Sequence, residues 1–160
     1  MAQPKIGLQL IVYGNKVVED LASVLREVAE VGYTGIEAGN LFATQGEALV
    51  RDLLAETGLA VAGMHSSYGD QTDPAKIEAN IAYLKAVGAK YYINSGVANN
   101  DTLEGYEIAA ETFNRVGAQC KREGLVFCYH NHAWEFKSLR REGHPPAHRV
   151  DGPGACQTLR

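Results

Sequence analysis

Short apolar segments alternate along the chain with longer segments in which apolar residues recur every three or four positions. This pattern predicts β-strands separated by amphipathic helices, the arrangement of a parallel sheet with helices packed on it. Five strands are predicted, at residues 6–12, 35–38, 60–64, 91–93 and 125–129. Four helices are predicted between them, each closed by a glycine at position 32, 58, 88 or 124, because glycine adopts a left-handed backbone most easily.

One apolar face runs along each predicted helix, as a helix that covers a sheet requires. On the first, third and fourth helices these faces comprise Leu21, Val24, Leu25 and Val28, then Ile77, Ile81 and Leu84, then Ala109, Phe113, Val116 and Cys120. Capping signals mark three helix starts, at Asp73–Pro74, at Thr44 with Glu47 and at Asp101 with Glu104. The predicted fold class is therefore α/β.

The regular pattern ends after Lys137. Residues 138–160 contain three of the five prolines, four of the eight arginines and no lysine, and their few hydrophobic residues follow neither period. We therefore predict a βα domain at residues 1–137 and an irregular or disordered tail at residues 138–160. A frameshift or an early stop in a longer gene would produce such a tail, a hypothesis that the encoding DNA sequence would test.

The composition is that of an ordinary globular protein, with 46% hydrophobic and 21% charged residues among 160. The formal net charge is −4 and no basic stripe occurs, so a nucleic-acid partner is not expected. No apolar run reaches the ~18 residues of a membrane span, so no membrane partner is expected. The three cysteines, Cys120, Cys128 and Cys156, argue by their odd number against a disulfide framework and predict a cytoplasmic location.

Polar and ionisable residues follow the predicted strands where the chain leaves them. Glu37 ends the second strand, His65 follows the third, Asn94 follows the fourth, and residues 130–135 follow the fifth. The carboxyl ends of parallel strands meet at one edge of a sheet, and functional groups of βα proteins lie there. These residues are therefore the candidates for a site.

Each candidate also has a structural interpretation. Glu37 is either an inward-facing base or ligand or one partner of a structural ion pair, and His65 is either a site residue or a hydrogen-bonded core histidine. Asn94 and Ser95 suit loop formation as well as substrate binding. Ser66–Ser67 has no Asp–His arrangement nearby, so a serine nucleophile is not expected.

The segment after the fifth strand, Tyr129-His-Asn-His-Ala-Trp-Glu-Phe136, has the most specific pattern. Its histidines, His130 and His132, are two residues apart and can point to one side of an extended chain, and imidazole suits a divalent metal. Glu135 would add a carboxylate oxygen or act as an acid or base.

Two elements of the chain resemble those of a known family. The sequence GYTGIE at residues 32–37 is similar to the strand-two element of sugar phosphate isomerase/epimerase-like barrels, and YHNHAWEF at residues 129–136 resembles their strand-five element. The order and spacing of both elements agree with this xylose-isomerase-like superfamily over residues 5–137. The resemblance implies a truncated (β/α)8 TIM barrel of about five strands and four helices, with a small-molecule sugar or sugar phosphate as substrate.

The resemblance also implies metal-assisted proton transfer next to a carbonyl, with Mn, Mg, Co or Zn as the divalent metal. It implies catalytic roles for Glu37, His132 and Glu135, substrate binding by His65, Asn94 and Asn131, and metal binding by His130. Relatives of this kind hold the metal by one group from each of strands five to eight, and only strand five has a counterpart here. We therefore expect weak or absent metal binding and reduced or no activity.

Two other functions fit parts of the pattern. A half-barrel leaves its first and fifth strands with open edges, which predicts a homo-oligomer and a non-catalytic, self-associating protein that binds a small polar ligand. A DNA-repair endonuclease would share the barrel, but it needs metal ligands across all eight strands and a basic surface. The acidic balance of the chain disfavours that class.

Overall fold

A computed structural model of the protein describes residues 5–39, 44–137 and 139. These residues form one parallel sheet in which five strands lie side by side in chain order. The strands are Gly7–Gln9 (β1), Gly35–Ala38 (β2), Ala60–Ser66 (β3), Tyr91–Asn94 (β4) and Val126–Tyr129 (β5). The predicted α/β class and the five predicted strands are confirmed.

Six α-helices connect the strands within the described ranges. They are Lys16–Glu19 (α1), Leu21–Val31 (α2), Glu47–Thr57 (α3), Tyr68–Thr72 (α4), Pro74–Ala86 (α5) and Leu103–Arg122 (α6). The four long helices are the four that the periodicity predicts, and α1 and α4 are short additions beside them. Two 3-10 helices, Leu10–Tyr13 and Trp134–Phe136, follow β1 and β5.

The hydrophobic core lies between the sheet and the helices. The predicted apolar face of α2 is buried through Val24, Leu25 and Val28, and it packs in one cluster with Ile36 of β2 and Tyr92 of β4. Successive residues of a strand point to opposite faces, so the residues that alternate with these core positions face the interior of the incomplete barrel. That inner face is where the polar side chains lie.

The helix ends follow the glycine prediction. Gly32 closes α2 with φ 102°, and Gly58 closes α3 with φ 70°, both in the left-handed region that disfavours a Cβ atom. Gly88 and Gly124, after α5 and α6, also have positive φ. Asp73 caps α5 as predicted, because its carboxylate accepts the N–H of Ala75.

The other two capping predictions are wrong. Helix α3 begins at Glu47 with Gly46 at its N-cap, so Thr44 lies outside the capping position. Helix α6 is capped by Thr102, whose hydroxyl accepts the N–H of Gly105 at 3.1 Å. A capping motif in the sequence therefore locates a helix start here only to within a residue or two.

Strand β1 is shorter than the predicted segment 6–12. The chain leaves the sheet after Gln9 and forms a 3-10 helix, in which Leu10 enters the core while Ile11 and Val12 are exposed. Gly14 ends this turn with φ 53°. The apolar run continues past the strand, so hydrophobicity alone overestimates its length.

The predicted irregular tail at residues 138–160 lies outside the described residues, except for Leu139. Along the described part of the chain, no helix combines the length and the apolar character needed to cross a membrane.

Candidate active site

A cavity of about 480 Å³ opens where the chain leaves the strands. Residues that end or follow each of the five strands line it, as expected for a parallel βα architecture. The apolar part of its wall includes Leu10, Val17 and Ala38. Its polar part includes Gln9, His65, Ser67, Ser95, His130 and His132.

Three side chains at the ends of β1, β2 and β3 meet beside this cavity and form the strand-end triad of Gln9, Glu37 and His65. The Gln9 amide donates through Nε2 to Glu37 Oε1 at 2.7 Å, and His65 Nε2 lies 2.7 Å from the same oxygen. Gln9 Nε2 and His65 Nε2 are 3.1 Å apart. His65 lines the cavity, whereas Glu37 lies outside the lining and contacts it through His65 and Gln9.

The shape of the triad assigns the protons. The two N–H bonds of an amide nitrogen diverge widely, so Gln9 directs one of them at Glu37 and does not also reach His65 in the narrow triangle that the three atoms form. Glu37 Oε1 then accepts from both neighbours, which places a proton on His65 Nε2. His65 Nδ1 has no hydrogen-bond partner among the described residues and is the ring nitrogen left for a ligand.

A β-bulge in β3 aims His65 into the barrel. The pairing of β2 with β3 shifts immediately before Glu37, which leaves Ala62 as an extra residue in β3. An extra residue reverses the face to which the following side chains point, so the bulge turns His65 from the helix side to the side of Glu37. Glycine is needed beside the bulge, because a Cβ at Gly63 would lie 2.7 Å from the carbonyl oxygen of Tyr91.

The β5 loop, residues 130–137, places a row of rings next to the triad. The His130 ring lies edge-on to His65 with centroids 5.2 Å apart, and its centroid is 4.8 Å from that of His132. His132 stacks on Trp134 at 3.7 Å. The Nδ1 atom of His132 is buried and has no hydrogen-bond partner within the described ranges.

Both carboxylate oxygens of Glu135 are engaged within this loop. Oε1 accepts the Tyr129 hydroxyl at 2.5 Å, and Oε2 accepts the backbone N–H of His132 at 2.6 Å. Burial alone would raise the pKa of the Glu135 carboxyl, but these hydrogen bonds together hold the pKa below its usual value. Burial and the adjacent carboxylate raise the pKa of the Tyr129 hydroxyl. In this arrangement Glu135 fixes the loop and lies outside the cavity lining.

The two asparagines predicted to bind substrate also lie outside the cavity lining. Asn94 is fully buried, and its side chain accepts the N–H of Gly96 at 2.9 Å and donates to the carbonyl oxygen of Ser66 at 3.5 Å. Asn131 is exposed in the β5 loop. The predicted site residues that do line the cavity are His65, His130 and His132.

Gln9 belongs to the site but is not indicated by any motif. A single polar residue inside an apolar run was its only signal, and such residues are common in strands. Its partners are 28 and 56 residues away along the chain, and the contact depends on the register that pairs Gln9 with Glu37. That register comes from the packing of the whole sheet.

The described residues do not fit a divalent metal on their own. In residues 5–39 and 44–137, no group of three or more His, Cys, Asp or Glu side chains converges as metal ligands. Metal affinity depends on the number and geometry of such ligands. The assignment of His130 as a metal ligand stays a prediction, and no two further ligands converge with it among the described residues.

The fold and the site define a class of protein, a parallel βα barrel with its polar chemistry at the carboxyl ends of the strands. Residues 25–147 match the family described as the xylose isomerase-like TIM barrel, and the chain belongs to that family. The membership that the two sequence elements indicated is thereby confirmed.

Individual proteins are more distant. The chain is 26% identical to inosose dehydratase of Mesomycoplasma hyopneumoniae over 157 residues, an alignment that covers 80% of this chain and 50% of that protein. A sugar phosphate isomerase/epimerase from Parabacteroides distasonis has the same fold, with a TM-score of 0.76, 21% identity, and coverage of 92% of this chain and 58% of that one. A xylose isomerase-like TIM barrel protein from Mycobacterium smegmatis, solved with magnesium, has a TM-score of 0.61 and 17% identity. The match covers 78% of this chain and 54% of that one.

The chain thus spans half the length of its curated relative and 58% of the Parabacteroides protein. Five strands in barrel order over that share agree with the expectation of a partial TIM barrel, which is confirmed.

Proposed function

We propose that the chain catalyses proton transfer next to the carbonyl of a small sugar or polyol, with His65 as the group that exchanges the proton. The observation that supports this most directly is the 2.7 Å contact between His65 Nε2 and Glu37 Oε1 beside the cavity. The chain belongs to the xylose isomerase-like family, and it is similar to an inosose dehydratase and to a sugar phosphate isomerase/epimerase. Both facts support a reaction on a sugar or polyol.

In this mechanism His65 Nδ1 takes a proton from the carbon next to the carbonyl, and the electron pair of that C–H bond moves towards the carbonyl oxygen. Glu37 stabilises the imidazolium that forms, because its carboxylate already accepts the Nε2–H bond. Return of the proton from His65 to the same face regenerates the substrate, whereas protonation of the opposite face by a water molecule gives an epimer. Delivery of the His65 proton to the former carbonyl carbon, as a hydroxyl proton moves to the enolate oxygen, gives an isomer.

The experiment is deuterium incorporation from D2O into inosose and ketohexoses, followed by NMR. Wild type is expected to exchange the proton next to the carbonyl, and Glu37→Gln to exchange it about 10²-fold more slowly, within the range of general acid–base catalysis. Glu30→Gln, an exposed carboxylate on α2, is the matched control and should keep the wild-type rate. Exchange no faster than in buffer for every compound would contradict the proposal.

We also propose that this chain binds a divalent metal weakly or not at all, and that its turnover is low for a member of the family. The support is the absence of a converging ligand group among residues 5–39 and 44–137. A calorimetric titration with Mn²⁺ tests this, with no micromolar one-site binding expected. Micromolar binding would overturn this proposal. It would mean that ligands other than the described side chains complete a metal site.

A second proposal is that copies of the chain associate through the open edges of the half-barrel. Within the described residues no strand pairs with the outer edge of β1 or of β5. Large apolar side chains are exposed beside these edges, with Ile6 61% exposed before β1 and Val126 41% exposed in β5. All strands are parallel, so β5 of one copy can pair with β1 of a second copy in the same hydrogen-bond pattern.

Light scattering on the purified chain tests this association. A dimer or larger oligomer is expected, and Val126→Lys should shift it towards the monomer, because a charge on an edge strand opposes pairing. Val31→Lys, at an exposed position at the end of α2, is the control. A stable wild-type monomer would contradict the proposal.

Free thiols support a reducing compartment, and we propose the cytoplasm. Within the described part of the chain Cys120 and Cys128 are free thiols, and burial raises the pKa of the Cys120 thiol to about 11, which keeps it protonated. Cell fractionation tests this location, and recovery of the chain from an oxidising extracellular fraction would contradict it.

A further inference from the structure

We infer that the cavity selects an uncharged polyhydroxylated carbonyl compound over its phosphorylated counterpart, an inference that rests on the proposed function. The described residues that line the cavity offer hydroxyl, amide and imidazole groups, and none of these described residues is Lys, Arg, Asp or Glu. Hydroxyl and amide groups each donate and accept hydrogen bonds, and so do the hydroxyls of a polyol. Ser67, Ser95 and Gln9 are placed to exchange such bonds with a neutral ligand.

A negative charge lies beside the wall of the cavity. Glu37 lies 2.7 Å from His65, which forms part of the wall. A phosphate group there would meet a carboxylate and no lysine or arginine of the described chain, and burying such an unpaired charge is costly. Five of the described cations form ion pairs, in Lys16–Glu27, Arg26–Glu56, Arg51–Glu47, Lys76–Asp70 and Lys85–Glu123, and no described lysine or arginine lines the cavity.

Two of the backbone amides at the rim of the cavity are already engaged in hydrogen bonds. Helix α4 begins there, and its capping box engages two of the amides, those of Ser67 and Asp70. The Ser67 hydroxyl accepts the N–H of Asp70 at 3.2 Å, and the Asp70 carboxylate accepts the N–H of Ser67 at 3.2 Å. The Asp70 carboxylate thus lies at this helix start, with its charge paired to Lys76 Nζ at 3.0 Å.

The experiment is an NMR titration of the ¹⁵N-labelled chain with D-fructose and, separately, D-fructose 6-phosphate. The titration is made at about pH 8. Ionic strength near ~0.15 M screens the net negative charge of the whole chain. We expect fructose to bind tighter than its phosphate by about tenfold or more, with amide shifts around Ser67 and Ser95.

Two variants sharpen the result. Ser95→Lys places a cation in the cavity lining and should narrow or reverse the preference, whereas Ala98→Lys adds the same charge to the same loop outside the lining and should leave it unchanged. Equal or tighter binding of fructose 6-phosphate by wild type would overturn this inference alone and leave the proton-transfer proposal standing. Binding of neither sugar would also overturn this inference, whereas the proton-transfer proposal is decided by the deuterium exchange of inosose and the ketohexoses.

Discussion

The strand-end triad and the β5 loop contain similar side chains, histidine beside glutamate, but they are built in different ways. In the triad, Glu37 and His65 are 28 residues apart and come together through the pairing of parallel strands. In the loop, Glu135 bonds to Tyr129 and to the backbone of His132, both within six residues of it. The first carboxylate contacts the ring of a cavity residue, and the second holds its own loop.

This difference suits the triad to chemistry in the cavity and the Glu135 contacts to holding the β5 loop. A carboxylate whose two oxygens accept local hydrogen bonds has little capacity left to move a proton, whereas a carboxylate paired with a cavity-lining imidazole changes what that imidazole can do. The β5 segment is the more specific motif in the sequence, yet the glutamate–histidine contact beside the cavity joins β2 and β3. The proton-transfer proposal therefore places its chemistry at the triad and gives the loop an orienting role.

The largest effect should separate His65 from His132, which both line the cavity. We expect His65→Asn to slow deuterium exchange into the substrate by about 10²- to 10³-fold, because it removes the group that accepts the proton. His132→Asn keeps the triad and should cost less than about tenfold. The measurement is the initial exchange rate at saturating sugar, with circular dichroism to verify that both variants fold. A larger loss of exchange rate in His132→Asn than in His65→Asn would contradict this distinction and would indicate that the β5 loop carries the proton transfer.

Gln9 gives a smaller and more specific test. It is a positioning residue, since its amide holds Glu37 Oε1 at 2.7 Å. Gln9→Leu should lower the exchange rate by about tenfold, roughly the cost of one lost hydrogen bond to a charged group. It should also change the ¹⁵N shifts of the His65 ring, a signal that loss of substrate contact alone would not move. Unchanged ring shifts would contradict the positioning role. The variant keeps the neighbouring buried residue Leu10.

The two regions also show how far sequence patterns predict this molecule. The buried faces of the helices were predictable because burial repeats locally, as with Val24 and Val28 on α2. The end of β1 at Gln9 was not, because the apolar run continues into the 3-10 helix. The triad was only partly predictable. Its glutamate and histidine stand at strand ends, but the bulge at Ala62 and the register that brings Gln9 to them arise from the packed sheet.

Glu135→Gln should destabilise the protein moderately while leaving the triad intact. The amide keeps the size of the side chain but loses one acceptor and the charge that strengthens both bonds, to Tyr129 and to the His132 N–H. We expect a loss of about 1 kcal/mol in the free energy of unfolding, measured by urea denaturation. Glu78→Gln, an exposed carboxylate on α5, is the matched control. No difference between the two variants would mean that the loop bonds contribute nothing to stability.

The smallest effect is the pH dependence of that difference. The hydrogen bonds hold the pKa of Glu135 below its ordinary value of 4.5, so the unfolded chain binds its proton at higher pH than the folded one. Its contribution is therefore complete above the unfolded-state pKa and is lost as the pH falls through the folded-state pKa. The gap in unfolding free energy between wild type and Glu135→Gln should be constant from about pH 7 to 5.5 and shrink below about pH 4.5. A gap that stayed constant or grew towards acid pH would show that neutral packing, and not the charged carboxylate, holds the β5 loop.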